Sequence, residues 1–239
     1  MLKFLGSGSA FNTKLGNTSA YIKKYNKLLL FDCGCTVFTK IQELNLLNDV
    51  EEINVLITHT HPDHIRSLGD LIFYSFFILK QKVNIYYPDI SKVITILNAL
   101  GVNNQMYNIT KISNKNNLNL LGNLIYHTKT KHDFNYKMVN NYGYFLYNSN
   151  DDIYIYYSGD SCEIPSDMYW NLNNNMITHF YQDTCKADYD GNVHLSLRKL
   201  SELIPIELRN KVWCMHLDNI FDVNEAKELG FNVVKNETL

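Results

Sequence analysis

The segment His59-Thr60-His61-Pro62-Asp63-His64, placed directly after the strand-like run Ile53-Asn54-Val55-Leu56-Ile57-Thr58, decides how this chain is read. It gathers three imidazoles and a carboxylate in one short stretch of a chain with only eight histidines in 239 residues. Imidazole and carboxylate are ligands that divalent transition metals take, and the spacing supplies donors for two adjacent sites. His59 and His61 would begin one site; Asp63 and His64 would begin the other. The cluster is internal and broken by Pro and Asp, so an expression tag is excluded. A chance gathering on a solvated loop accounts for it far less well than coordination does.

Composition narrows the partners. A hydrophobic fraction of 46% with 19% charged residues describes a globular protein, and the formal net charge of -2 offers no polyanion footprint. Long nucleic acid is therefore not the expected partner. The longest apolar stretch, Leu71 to Leu79, is interrupted by Ser75 and falls short of the ~20 residues that cross a bilayer. It reads as a buried helix. No membrane association and a cytoplasmic location are expected, since the N-terminus reads as a first strand and not as a signal peptide. The five cysteines, Cys33, Cys35, Cys162, Cys185 and Cys214, form no CxxC pair and are expected to be reduced thiols. Cys214 precedes His216 by two residues, so on a strand the two would share a face; packing as a small hydrophobe is nevertheless the expected role of its sulfur, with an approach to the metals the alternative.

Strand-like runs cover Leu2–Leu5, Ser19–Lys23, Leu28–Phe31, Ile53–Thr58, Val83–Tyr87, Leu124–Thr128, Tyr144–Tyr147, Ile153–Ser158, Met176–Phe180 and Val212–Met215. Helical periodicity fits Thr36–Leu44, Ile65–Leu79, Ser91–Leu100, Leu195–Leu203 and Val223–Leu229. The Asn-rich stretches 114–117 and 173–175 read as polar loops. Strands with helices between them predict an α/β protein, sheets covered by helices, and residues 1–239 show no domain boundary. Asp63, His64, Asp160, Asp183 and His216 all follow strand ends, where rigid roots fix functional loops.

Further donors follow in order: His132 in Lys131-His132-Asp133, Asp160 in Ser158-Gly159-Asp160-Ser161, and His216 in Met215-His216-Leu217-Asp218. With HxHxDH at 59–64, this series resembles the ligand series of the metallo-β-lactamase superfamily at all seven positions. The opening Gly6-Ser7-Gly8-Ser9-Ala10-Phe11, Asn17-Thr18-Ser19 and Phe31-Asp32-Cys33-Gly34 are similar to the superfamily's early elements, so the resemblance covers nearly the whole chain. It implies a four-layer αββα sandwich with metals at one edge of two sheets. It also implies one metal on His59, His61 and His132, a second on Asp63, His64 and His216, and Asp160 bridging them. Two divalent ions are expected, Zn²⁺ first, with Mn²⁺ or Fe also compatible with these donors. His127 is the alternative to His132, and His132 is preferred because it stands nearer Tyr142-Gly143-Tyr144. Asp32 is expected to support a metal-bound histidine from behind.

The pair Asp183-Thr184 and His194-Leu195-Ser196 resembles the ribonuclease Z branch, although that branch usually has Glu where Asp183 stands and lacks the interruption by Leu195. The resemblance implies an acidic residue after a strand that orients a histidine at the head of a helix. Such an imidazole stabilises or protonates the leaving oxygen of a phosphodiester. His194, Asp183 and, beside its ligand role, Asp63 are thus the catalytic candidates. Only 27 residues separate His132 from Asp160, too few for the tRNA-gripping arm of ribonuclease Z. The compact cyclic-nucleotide phosphodiesterases of this branch, including the phage anti-Pycsar type, are similar in their N-terminal pattern, carried here by Phe11-Asn12 and Gly16-Asn17-Thr18-Ser19-Ala20-Tyr21. The expectation is a homodimeric metal-dependent phosphodiesterase acting on 3',5'-cyclic mononucleotides. An RNA 3'-end endonuclease, a lactone or thioester hydrolase and a nucleotide-sequestering protein are the alternatives.

Overall fold

The computed structural model describes residues 1–115, 118–134, 137–138, 140–148 and 151–238. Its first half runs β1 (Lys3–Gly6), β2 (Ser19–Lys24), β3 (Lys27–Phe31), α1 (Val37–Glu43), β4 (Glu52–Leu56), α2 (Pro62–Ile65), α3 (Leu68–Phe77), β5 (Val83–Tyr87), α4 (Ile90–Ala99) and β6 (Tyr107–Lys111). These strands form a sheet in the order β1-β2-β3-β4-β5-β6, antiparallel through β3 and parallel from β3 onward.

The second half contains β7 (Leu118–Leu120), β8 (Asn123–Thr130), a small hairpin of β9 (Asp133–Phe134) and β10 (Lys137–Met138), β11 (Asn141–Asn148) and β12 (Ile153–Tyr157). There follow α5 (Ser166–Asn173), β13 (His179–Asp183), α6 (Leu197–Leu203), a 3₁₀ turn (Ile206–Lys211), β14 (Val212–Met215), α7 (Val223–Glu228) and β15 (Asn232–Val233). The second sheet is ordered β15-β14-β13-β12-β11-β8-β7, parallel from β12 to β15 and antiparallel in the rest.

Side-chain alternation builds the layers. Along β3, Leu28 and Leu30 pack outward with Val37, Ile41, Leu71 and Val93 of the helices, while Leu29 and Phe31 pack inward against the other sheet. The second sheet does the same: Ile155, Tyr157 and Tyr181 face the first sheet, and Tyr156, Phe180 and Val212 face α5, α6 and α7 through Met168, Leu200 and Ala226. A strand buried on both faces reads as a nearly continuous apolar run, which is why Leu28–Phe31 and, but for the buried Asn54, Ile53–Leu56 stand out in the sequence. The result is the α/β four-layer αββα sandwich of the metallo-β-lactamase fold.

Several expectations are corrected. Helix Ile65–Leu79 is two helices, because Ser67 leaves the ladder to bind the β3 end. Its N–H donates to the Cys33 carbonyl at 3.1 Å and its hydroxyl donates to the Gly34 carbonyl at 2.5 Å. Met176–Phe180 is shifted, and β13 spans His179–Asp183, so Asp183 ends the strand instead of following it. Asn173 closes helix α5, which buries only Met168 and Leu172, so only Asn174 and Asn175 of that polar stretch lie beyond the helix. Asn116 and Asn117 of the other Asn-rich stretch lie outside the described residues. Among the described residues no helix is long and apolar enough to cross a membrane.

Candidate metal centre

Strand ends and one short helix converge at a single edge of the two sheets. His59 and His61 lie between β4 and α2; Pro62 starts α2, and Asp63 and His64 project from it. His132 lies just past β8, Asp160 just past β12, and His216 just past β14. Gly159 makes the Asp160 placement possible: its φ is +61°, and a Cβ there would meet the Thr58 Cβ at 2.9 Å. The Asp160 carbonyl is held in turn by the side-chain amide of Asn141.

All seven predicted ligands come together in two groups. One contains His59, His61, His132 and Asp160; the other contains Asp63, His64, Asp160 and His216, with donor atoms within 4.8 Å of one another in each. Asp160 belongs to both, and its two oxygens divide between them. Oδ2 stands 3.7 Å from the Nε2 atoms of His59 and His132, while Oδ1 stands 3.1 Å from Nε2 of His64 and 3.3 Å from Nε2 of His216. A carboxylate that divides its oxygens in this way is arranged to bridge two cations.

The imidazoles are oriented from behind. The Thr58 hydroxyl donates to Asp32 Oδ2 at 2.7 Å and so is left to accept from His59 Nδ1 at 3.1 Å. His64 Nδ1 donates to the same Asp32 oxygen at 2.8 Å, and His132 Nδ1 donates to the Val193 carbonyl at 3.2 Å. His216 Nδ1 lies 3.4 Å from Asp183 Oδ1, an ion-pair contact and not a directed hydrogen bond. The hydrogen bonds of His59, His64 and His132 place a proton on Nδ1 and turn Nε2 toward the centre. Asp32 thus acts as expected, whereas the roles of Thr58 and Val193 carry no sequence signal: one is an ordinary strand-end Thr and the other a main-chain carbonyl.

The donor chemistry fits divalent metal ions. Asp160 Oδ1 and His64 Nε2 are buried and face each other at 3.1 Å without a directed hydrogen bond to any described residue, an arrangement that a cation shared by the donor group would satisfy. Electrostatics agree. Burial alone would raise the Asp160 carboxyl, but His216, His64 and His59 hold it well below the usual carboxylate range. Asp63, similarly raised by burial, is carried lower by His64 and His216. Burial keeps His59 and His61 neutral, whereas Asp160 and its neighbouring carboxylates overcome burial and raise His64 well above, and His216 to about 10. Asp32 and His216 adopt left-handed backbone with φ of 62° and 60°. That conformation costs a non-glycine residue about 1–2 kcal/mol, held here by the surrounding contacts.

His194 and Asp183 stand beside this centre. His194 Nδ1 is 2.7 Å from Asp183 Oδ2, and Asp183 also takes the Ser161 N–H at 2.8 Å. Burial disfavours the charged imidazole, but Asp183 outweighs it and raises His194. His194 precedes the α6 N-cap, Ser196, by two residues, so it sits on a loop and not at the head of the helix. A cleft of about 410 Å³ opens over the centre, lined by Phe11, Cys35, His61, Asp63, Arg66, His132, Asp160, His194 and His216. Arg66 is among the lining residues, a feature the sequence did not single out.

His127 and Cys214 both pack away from the donor groups. His127, on β8, packs its ring 5.3 Å from Tyr142 and takes no part in either donor group. Cys214 packs in the core beneath α6 and α7, where burial pushes its thiol up to about 12.

The profile of the anti-Pycsar protein Apyc1 family matches residues 1–239. The chain is 25% identical over 250 residues to an anti-Pycsar protein Apyc1 of Paenibacillus harenae, covering 98% of this chain and 96% of that one. It is 26% identical over 244 residues to one of Bacillus phage BSP38, covering 92% and 90%. The metallo-β-lactamase fold protein YhfI of Bacillus subtilis matches with a TM-score of 0.77 and 17% identity, covering 99% and 97% of the two chains; this likeness shows the fold alone. With the match running from residue 1 to residue 239, the chain belongs to the anti-Pycsar Apyc1 family.

Proposed function

We propose that this protein is a binuclear phosphodiesterase that opens 3',5'-cyclic mononucleotides. His59, His61 and His132 would hold one metal, Asp63, His64 and His216 the second, and Asp160 both. Zn²⁺ suits these donors, with Mn²⁺ the alternative. Such ions, once bound, lower the pKa of water toward ~7 and neutralise phosphoryl oxygens.

The observation that carries the reading is the place of His194. It lines the cleft over the metal centre and also an adjoining cleft of about 430 Å³. A phosphoryl group seated over the centre, with its sugar extending into the neighbouring cleft, sets the ester oxygen beside His194. Asp183 keeps that imidazole oriented and protonated, so it gives its proton to the departing oxygen. Arg66 binds a phosphoryl oxygen from the cleft wall, and Asp63 orients the attacking water. A lactone or thioester hydrolase has no need of the Asp183–His194 pair.

The relatives' name, borne by a phage protein among others, supports a role in removing a nucleotide signal of antiviral defence. The whole chain would act as one domain, as a homodimer in the cytoplasm. Metal-loaded protein should convert members of a panel of 3',5'-cyclic mononucleotides to linear monophosphates, identified by mass. Failure to convert any of them at high enzyme concentration sinks the proposal.

A further inference from the structure

We infer that Phe11 and Tyr189 are the walls that hold the nucleobase, an assignment that rests on the phosphodiesterase reading above. The two clefts at the site share Ala10, Phe11, His194 and His216, so they are contiguous. A cyclic nucleotide with its phosphoryl group over the metal centre must extend its base past His194 into the second cleft. That cleft is lined by Phe11 and Tyr189. Phe11 is 86% exposed and Tyr189 59% exposed, so neither ring serves the core.

Both rings are carried on loops tied to the segment that follows His216. On one side, the Asn12 side-chain amide donates to the Leu217 carbonyl at 3.0 Å and to the Asp218 carbonyl at 3.2 Å, and the Ser9 N–H donates to the Leu217 carbonyl at 3.0 Å. Phe11 is thereby fixed relative to His216. On the other side, Asp218 Oδ2 accepts from the backbone N–H groups of Lys186 at 3.1 Å and Ala187 at 2.9 Å. Asn192 closes the same loop, its amide donating to the Ala187 carbonyl at 2.8 Å and its oxygen accepting from the His194 N–H at 3.1 Å. Tyr189 lies between these anchors.

The same contacts remove polar competitors. The Asn192 side chain and Oδ2 of Asp218 are committed to holding loops, and Oδ1 of Asp218 is out of solvent's reach. Apart from Ser9 and the two histidines, the second cleft therefore offers a flat heterocycle a largely apolar lining, with Phe11 and Tyr189 supplying its ring faces. Stacking on an aromatic side chain recognises a base through its π-face.

The test pairs deletion of a ring in the protein with deletion of the base in the substrate. Metal-loaded wild type, Phe11→Ala, Tyr189→Ala, Phe11→Tyr and Tyr189→Phe are assayed on 3',5'-cyclic AMP and on a 3',5'-cyclic ribose phosphate lacking the base. Each Ala variant should raise KM for cyclic AMP about tenfold with little change in kcat, since stacking is binding kept through the reaction. On the base-free substrate both should match wild type, and the ring-conserving variants should behave as wild type on both. Equal losses on the two substrates, or no loss on cyclic AMP, overturn the assignment. Wild type that opens neither cyclic phosphate overturns the phosphodiesterase reading itself, and the assignment with it. Because both rings are exposed, melting temperature and metal content should be unchanged throughout.

Discussion

Asp183 contacts two histidines at once: its Oδ2 lies 2.7 Å from Nδ1 of His194, and its Oδ1 lies 3.4 Å from Nδ1 of His216. A single buried carboxylate thus backs one imidazole inside the donor cluster and another just outside it. The strand end fixes it there, with the Asp183 N–H donating to the Ser158 hydroxyl at 2.9 Å. His194 and the donor cluster are consequently held in register by one side chain.

Removing His194 separates chemistry from metal binding. His194→Ala should lower kcat by about 10²–10⁴-fold, the usual contribution of a positioned acid, while retaining its metals. Asp183→Asn should act through pH. Asp183 raises His194 above the ordinary 6.5 against the opposing effect of burial, so activity should be lost on the basic side only above that pH. In Asp183→Asn only the weaker pull of Asp160 opposes burial and the His216 charge, and the basic limb of kcat/KM should move to lower pH. A basic limb that does not move would assign the proton to another group.

Asp32 supports the centre without lining it. Its carboxylate takes the Thr58 N–H and hydroxyl, both at 2.7 Å, and the His64 ring at 2.8 Å. Asp32→Ala strands three buried donors, each costing about 1–3 kcal/mol. A sharply lower melting temperature is expected, together with a 10–100-fold weaker hold on metal, as for other partners of ligating histidines. Chelator competition and thermal melts check the two effects separately; metal affinity equal to wild type would remove Asp32 from the support of His64.

Metal removal should leave a pH-dependent fold. In the absence of metal, His64 is raised well above 6.5 and His216 to about 10 by the carboxylates around them. A histidine raised on folding stabilises fully below its unfolded pKa, and that contribution disappears as pH rises through the folded value. Metal-free protein should therefore lose melting temperature between about pH 7 and 10, whereas metal-loaded protein should not. Metal uptake at neutral pH should release protons, seen as a calorimetric enthalpy that varies with the buffer's ionisation heat. A buffer-independent enthalpy would show that these imidazoles are already neutral.

How much of this was legible follows from what each residue does. His59 to His64 could be read directly because ligands for two sites sit in one six-residue stretch. His132, Asp160 and His216 were legible only as an ordered series, since locally nothing distinguishes His132 from His127. The structure separates those two by placing His127 within β8 against Tyr142 and His132 in the loop beyond it. The strands that escaped notice, β6, β7 and β15, are all sheet edges, and β9 and β10 are two-residue pieces. Edge strands bury less and so carry a weaker alternation. The cleft-lining Arg66 and Tyr189 were illegible for a different reason: each is a single surface residue whose neighbours in space are distant in sequence.

Gly34 offers the sharpest test of how the fold sets the ligands. A Cβ at this position would lie 1.8 Å from the Asp63 carbonyl oxygen, an approach no side chain tolerates. The contact exists because the turn after β3 presses onto α2: the Cys33 N–H donates to the His64 carbonyl at 2.7 Å, and Ser67 bonds back to Cys33 and Gly34. Gly34→Ala must therefore displace the backbone that carries Asp63 and His64, at a cost of about 1–3 kcal/mol or more for forcing atoms into a packed site. Because both residues belong to the second donor group, that metal should be lost before the first. Metal analysis should then find about one ion per chain where wild type should hold two, with activity reduced in step. Two ions bound at wild-type affinity in Gly34→Ala would mean that the turn and α2 separate freely, and that the close approach at Gly34 does not set the ligand geometry.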